Sequence, residues 1–158
     1  SDLTSTTFGT AFSGLGLRSC ASADGVQFYG VGSNGGCQYT ILGGNTPTQI
    51  NSALPTNMRV ANVTNGQLYF SAASGAFQGV GTIGTGLPTI GGQTPVLLPG
   101  FPIVTGPQSY DFVFADATTL YVADDRTSVS LDGFWSLLEK EQLDGIEAKD
   151  SRLVLKYA

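Results

Sequence analysis

Four aspartates are the side chains best suited to chemistry: Asp111, Asp116, Asp124 and Asp125. Clustered carboxylates offer hard oxygen ligands to Ca²⁺. Asp111 and Asp116 are also the residue type of a glycosidase pair, should a fold bring them together. Their spacing does not match an EF-hand loop, and acids that follow a strand are ordinary turn formers. No metal site is assigned on this basis. Nucleophilic catalysis has less support still. The chain contains no histidine, so its many serines and threonines lack the commonest activating base. Gly-x-Ser-x-Gly does not occur. The Gly-rich run Gly81-Thr-Ile-Gly-Thr-Gly86 has neither the lysine nor the following helix of a phosphate loop and reads as a turn region. The expectation is a chain with no catalytic residues and no cofactor, not an enzyme.

Three further features carry chemistry of a different kind. Cys20 and Cys37 are the two cysteines and form a candidate disulfide. In a three-strand meander they fall on the first and third strands, about 10 Å apart at the usual strand spacing. A disulfide spans a Cα separation below about 7 Å, so a bond at a frayed strand end, or to another chain, stands beside the free state. Asn62-Val63-Thr64 is an N-glycosylation sequon, with a polar strand residue as the plain alternative. The aromatics Phe28, Tyr29, Tyr39, Tyr69, Phe70, Phe77, Tyr110, Phe112, Phe114 and Tyr121 recur on strand-like segments. They can form a carbohydrate-binding surface, or pack between sheets as such residues more often do.

The elements that must position these residues are short strands. Asn65-Gly66 is the clearest signal, because both residues tolerate the positive φ of a two-residue hairpin. Strands are expected at about 58–64 and 67–72, then 76–83. Asp24-Gly25 turns a strand at 17–22 into one at 26–31, followed by a third at 37–42. Asp116-Ala117-Thr118 joins strands at 110–115 and 119–123. Between them, 85–108 holds five of the seven prolines, so no continuous ladder is expected there. Phe28-Tyr29, Leu68-Tyr69 and Leu120-Tyr121 occupy matching places in their modules, and Arg18 and Arg59 each precede a tyrosine by about one hairpin. Four-stranded modules at this spacing are those of β-propeller blades. The rival is a generic β-sandwich. Three modules do not close a propeller, which leaves a piece of a larger ring, an assembly of copies or an open stack.

Composition agrees with an all-β chain. Among 158 residues there are 22 glycines, and only 12% are charged, with a net charge of −5. That balance argues against nucleic acid or an anionic membrane surface as partners. No apolar run approaches the length of a membrane span. The chain opens on Ser1 rather than Met, from which a processed or excised leading segment is expected. Charges are uneven: six fall in 1–123 and ten in 127–158. The chain is therefore divided into a repeat region, 1–126, and a charged tail, 127–158, packed on the same domain. In the tail Asp132 is a candidate N-cap for a short helix at about 133–143, and Arg152 to Tyr157 reads as a last strand.

Several stretches together resemble a family of secreted, largely uncharacterised β-propeller-like repeat proteins of bacteria and algae. They are Gly14-Leu-Gly-Leu-Arg-Ser19, Asp24-Gly-Val-Gln-Phe-Tyr29, Arg59-Val-Ala-Asn-Val-Thr-Asn-Gly-Gln-Leu-Tyr69, Gly84-Thr-Gly-Leu-Pro88, Leu97-Leu-Pro-Gly-Phe-Pro102 and Leu120-Tyr-Val-Ala-Asp-Asp-Arg126. The resemblance covers about residues 7–126 and stops where the tail begins. It implies a secreted, extracellular protein and supplies no catalytic set. The expected fold is mainly β: antiparallel meander repeats forming a partial, about three-bladed propeller-like body, with a short C-terminal helix and strand. The expected function is a non-enzymatic extracellular structural protein that self-assembles into a filament, sheath or surface layer, with itself as partner. The alternatives are a propeller module that binds carbohydrate or a cell surface, with glycans as partners, and a propeller-type hydrolase.

Overall fold

A computed structural model describes residues 5–14, 16–52, 54–101 and 108–124, and the backbone of Leu153–Tyr157. Within these residues the chain is built of antiparallel strands, with a single 3-10 turn at Gly75–Phe77 as its only helical element. The helix predicted at 133–143 and the boundary at 126/127 lie outside the described residues.

The first sheet is a meander of β1 (Leu17–Ala21), β2 (Gln27–Gly32), β3 (Gln38–Ile41) and β4 (Thr48–Gln49), neighbours in that order. The second repeats the plan with β5 (Met58–Thr64), β6 (Gln67–Ala72), β7 (Gly79–Ile83) and β8 (Pro95–Leu97). The third contains β9 (Ser109–Phe114) and β10 (Leu120–Asp124), with β11 (Leu153–Tyr157) antiparallel on the outer side of β10. The strands expected from sequence are present, except that the one expected at 76–83 begins only at Gly79, after the 3-10 turn. β4 and β8 were not foreseen. Both are very short, and β8 begins on Pro95, a position where a missing N–H costs the ladder little.

The hairpin turns explain why the modules start as they do. Asn65 and Gly66 have φ of 50° and 73°, the twist-matched geometry that only such residues adopt readily. In the first and third sheets an aspartate replaces the tight turn. Asp24 accepts hydrogen bonds from the Val26 and Gln27 amides, both at 2.8 Å. Asp116 accepts from the Thr118 and Thr119 amides, also at 2.8 Å.

The repeat extends to residue register. Tyr29 pairs with Tyr39 and stands opposite Ala21; Tyr69 stands opposite Asn62; Tyr121 stands opposite Val113. Three residues before each of these partners the first strand changes register. The shifts fall between Leu17 and Ser19, between Met58 and Ala61, and where Ser109 and Asp111 face Asp124 and Ala123. A bulge re-aims the residue it carries, and the residues in these places are Arg18, Arg59 and Tyr110. Arg18 donates across to Asn57 Oδ1 and to the Met58 carbonyl at 3.3 Å, at the start of the second sheet. Arg59 lies over the Tyr110 ring, 5.2 Å from its centroid, at the start of the third. Each sheet is thus tied to the next at the same point.

Alternation along the strands defines two faces per sheet. One, here called the forward face, carries Tyr29 and Val31 in the first sheet and Tyr69 and Ser71 in the second. The rear face carries Leu68, Phe70 and Ala72 in the second sheet and Leu120 and Val122 in the third. Forward meets rear at both junctions. Tyr29, Val31 and Cys37 pack with Met58, Leu68, Phe70 and Ile83. Val80 and Tyr69 pack with Phe112, Leu120 and Val122, and Tyr69 lies 4.6 Å from Phe114 centroid to centroid. Hydroxyls bridge the same junctions. Ser19 Oγ accepts from the Ala61 amide at 3.2 Å, and Ser71 Oγ donates to the Tyr110 carbonyl at 2.7 Å.

Candidate functional site

Asp111 and Asp116, the pair singled out in the sequence, do not converge. Asp116 is consumed by its turn. Asp111 sits on β9 opposite Ala123, with three residues of strand, about 10 Å, between it and the end of β9, and the turn of Asp116 beyond that. Its carboxylate accepts from the Phe112 amide at 2.7 Å. Asp124 is buried at the far end of β10; Asp125 lies outside the described residues. Among the described residues no group of three His, Cys, Asp or Glu side chains can hold a metal ion.

Every shifted titration among the described residues points away from neutrality. Hydrogen bonds from the Gln27 and Val26 backbone hold the Asp24 carboxyl down at about 2. The Thr118 backbone amide, then the Thr119 and Thr118 side chains, lower Asp116. Burial pushes Tyr29 up to about 12 and raises both thiols, Cys37 the more strongly. An acid or base in catalysis needs a pKa near the working pH; these groups are instead locked in their resting forms. The two lowered aspartates give an expectation for acid stability. Their folded pKa values lie below the unfolded carboxylate value of about 3.9. Their contribution is therefore complete above that value and lost as pH falls through the lowered folded values, which for Asp24 is about 2. Asp24→Asn keeps an oxygen acceptor but cannot titrate. Urea midpoints compared at about pH 6 and pH 2.5 should show a smaller acid loss in the variant than in the wild type. An equal loss would remove Asp24 from the acid limb.

Cys20 is exposed and Cys37 buried, and both are free thiols. Cys20 pairs with Gly30, and Gly30 pairs with Gln38, so the cysteines sit two strands apart. Asn62 is half-buried on β5, where the Thr64 hydroxyl donates to its Oδ1 at 2.9 Å. Gly81 to Gly86 runs from β7 into a turn braced by Gln67, whose Oε1 accepts from the Gly86 amide at 2.7 Å. Of the aromatics, Tyr29, Phe70 and Phe112 are buried between sheets, and Tyr110 and Tyr121 are exposed.

Two features of the surface were not legible in the sequence. The first is at the rear of the first sheet. Gly30 and Gly32 lie there with Phe28, and the leading segment covers them. A Cβ on Gly30 would stand 2.7 Å from the Phe8 ring; one on Gly32 would meet the Gly16 carbonyl oxygen at 2.3 Å and the Phe12 ring at 3.1 Å. The two rings meet edge to face at 5.7 Å, and the segment is held by the Thr7 amide on the Gly44 carbonyl at 3.0 Å. Beside this plug lies an open groove of about 510 Å³ lined by Gly9, Thr10, Gln38, Asn45, Thr46 and Gln49, among others. The second feature is the forward face of the third sheet. Val113 is 59% exposed and Tyr121 36% exposed, with Asp111 exposed and Ala123 half-buried beside them. Their counterparts Ala21, Tyr29, Ser19 and Val31 are half-buried or buried, as are Asn62, Tyr69, Val60 and Ser71.

The class defined by these features is an antiparallel β protein of successive meander sheets joined face to face. Neither family models, nor curated proteins, nor solved structures provide a match to the chain. No helix among the described residues is long and apolar enough to cross a membrane.

Proposed function

We propose that this chain is a non-enzymatic extracellular structural protein, a partial propeller-like stack that self-assembles. The observation that carries the reading is the graded exposure of one position. Tyr29 is fully buried, Tyr69 is half-buried against Phe114, and Tyr121 in the same register place is open to solvent. A face built like two covered interfaces, yet itself uncovered, is suited to receive another sheet. Low charge adds to this, since few side chains are present to discourage association of exposed strand edges. Sedimentation of the purified chain at micromolar concentration should give particles heavier than the 16.4 kDa monomer, with filaments or sheets by electron microscopy. A single species at monomer mass would overturn the proposal, as would hydrolysis of glycoside, ester or phosphate substrates abolished by Asp111→Asn.

Glycan binding is the second reading. It draws on the groove beside the plug, where Gln38 and Gln49 both donate to the Gly35 carbonyl, at 2.7 and 2.9 Å. Amides and hydroxyls suit a neutral sugar, but none of the lining residues supplies an aromatic platform.

A further inference from the structure

We infer that the forward face of the third sheet, centred on Val113 and Tyr121, docks the plugged rear face of the first sheet of a second copy. This rests on the self-assembly reading and adds the two surfaces and their polarity. The chain contains two worked examples of such a contact, and both have the same sense. A forward face with a tyrosine on its second strand meets a rear face with bulky apolar residues on its second strand. Those residues are Leu68 and Phe70 at the first junction, and Leu120 and Val122 at the second.

In the first sheet the corresponding rear positions are Phe28 and Gly30. The glycine by itself would leave a hollow. Phe8 fills it; over Gly32 the Gly16 backbone closes in first, with the Phe12 ring beside it. The plug thus gives the first sheet the apolar bulk that the other two rear faces have from their own strands. Phe8, Phe12 and Phe28 all remain partly exposed, so this surface has not been sealed.

The open forward face is matched to such a surface. Val113 and Tyr121 pair directly across the strands, with Asp111 exposed on the same strand as Val113 and Lys156 of β11 in the register place opposite Tyr121. A symmetric contact of this face with itself would set tyrosine face against tyrosine face, an arrangement neither internal junction uses. Forward-to-rear contact is heterologous, so it propagates into a filament, or closes into a ring where the rotation permits. Two copies closed in this way would bring together six sheets, within the usual range for propellers of about four to eight.

The test is complementation by sedimentation equilibrium of the intact chain. One variant blocks the forward face with Val113→Lys and Tyr121→Lys, both at exposed sites. The other blocks the rear with Ala11→Lys on the plug, and Thr10→Lys serves as a second version should the first loosen the segment. Urea midpoints establish that each remains folded. The expected result is monomer for each variant alone and two-chain particles for the equimolar mixture, because the mixture retains one intact forward and one intact rear face. If the rear-blocked variants still associate alone while the forward-blocked one does not, the third sheet meets its own copy. That outcome overturns the inference and leaves self-assembly standing. Association untouched by every variant places the contact elsewhere and also overturns it. A wild type that stays monomeric overturns the underlying proposal as well.

Discussion

Phe70→Ala lowers the stability of the folded chain by about 3–5 kcal/mol, the usual cost of truncating a buried phenylalanine. Phe70 is fully buried. It lies on the central hairpin of the middle sheet and packs in the cluster that joins the first two sheets, among Tyr29, Met58, Leu68 and Ile83. The surrounding sheets are fixed by their own ladders and by the Arg18 and Ser19 bridges to β5, so the hollow cannot readily collapse. A domain of this size has a net stability of about 5–15 kcal/mol, so one substitution removes a large share of it. A urea titration reads the change as a lower midpoint with unchanged slope. Tyr121→Ala supplies the contrast. It sits on the open face and should move stability by no more than about 0.5 kcal/mol. A loss below about 1 kcal/mol for Phe70→Ala would mean that the first two sheets do not share a packed core.

Much of this architecture was legible because it is written in turns and alternation. Asn65-Gly66 can form one kind of hairpin turn, and its φ values are those of that turn. The recurrence of Tyr29, Tyr69 and Tyr121 was visible as spacing, and it corresponds to a shared register place in three sheets. What spacing did not convey was direction. That the tyrosines all face forward, and that only the last is uncovered, depends on how sheets stack, which no local pattern encodes. The bulges were equally silent. Arg18 and Arg59 were recognisable as repeated residues, but a register shift leaves no mark in composition.

The plug was missed for a different reason. Phe8 and Phe12 stand in a Ser/Thr-rich stretch without strand periodicity. A signal was present elsewhere. Gly30 occupies the place that holds Phe70 and Val122 in the other sheets, and Gly32 the place of Ala72 and Asp124. A repeat that lacks core side chains where its siblings have them must have the space filled from outside. The short outer strands escaped notice because β4 has two residues, both exposed, and β8 three, too few to show a period of two. The acids misled in the opposite sense. Asp111 and Asp116 are close in sequence, but a hairpin places them at separate points along it.

Gly81→Val should be strongly damaging on β7, at about 3 kcal/mol, the upper end of the usual cost of overpacking. Gly81 is buried and stands opposite Phe70 on one side and Leu97 on the other. A Cβ there would lie 2.4 Å from the Val96 carbonyl oxygen and 2.9 Å from two carbons of the Phe70 ring. The two collisions differ in kind. The ring can be displaced at the expense of its packing, whereas the Val96 carbonyl is backbone within the β7–β8 pairing and has nowhere to go. This distinction predicts the result of combining the two substitutions. In a Phe70→Ala background the ring collision is gone and the carbonyl collision remains. Gly81→Val should therefore cost less there than in the wild type, but not nothing. The double-mutant cycle should show a coupling of about 1–2 kcal/mol, within the span for residues in contact. Additivity to within about 0.5 kcal/mol would show that the glycine is not there to seat the ring. In that case the close approach of β8 to β7 alone would account for its place in the strand.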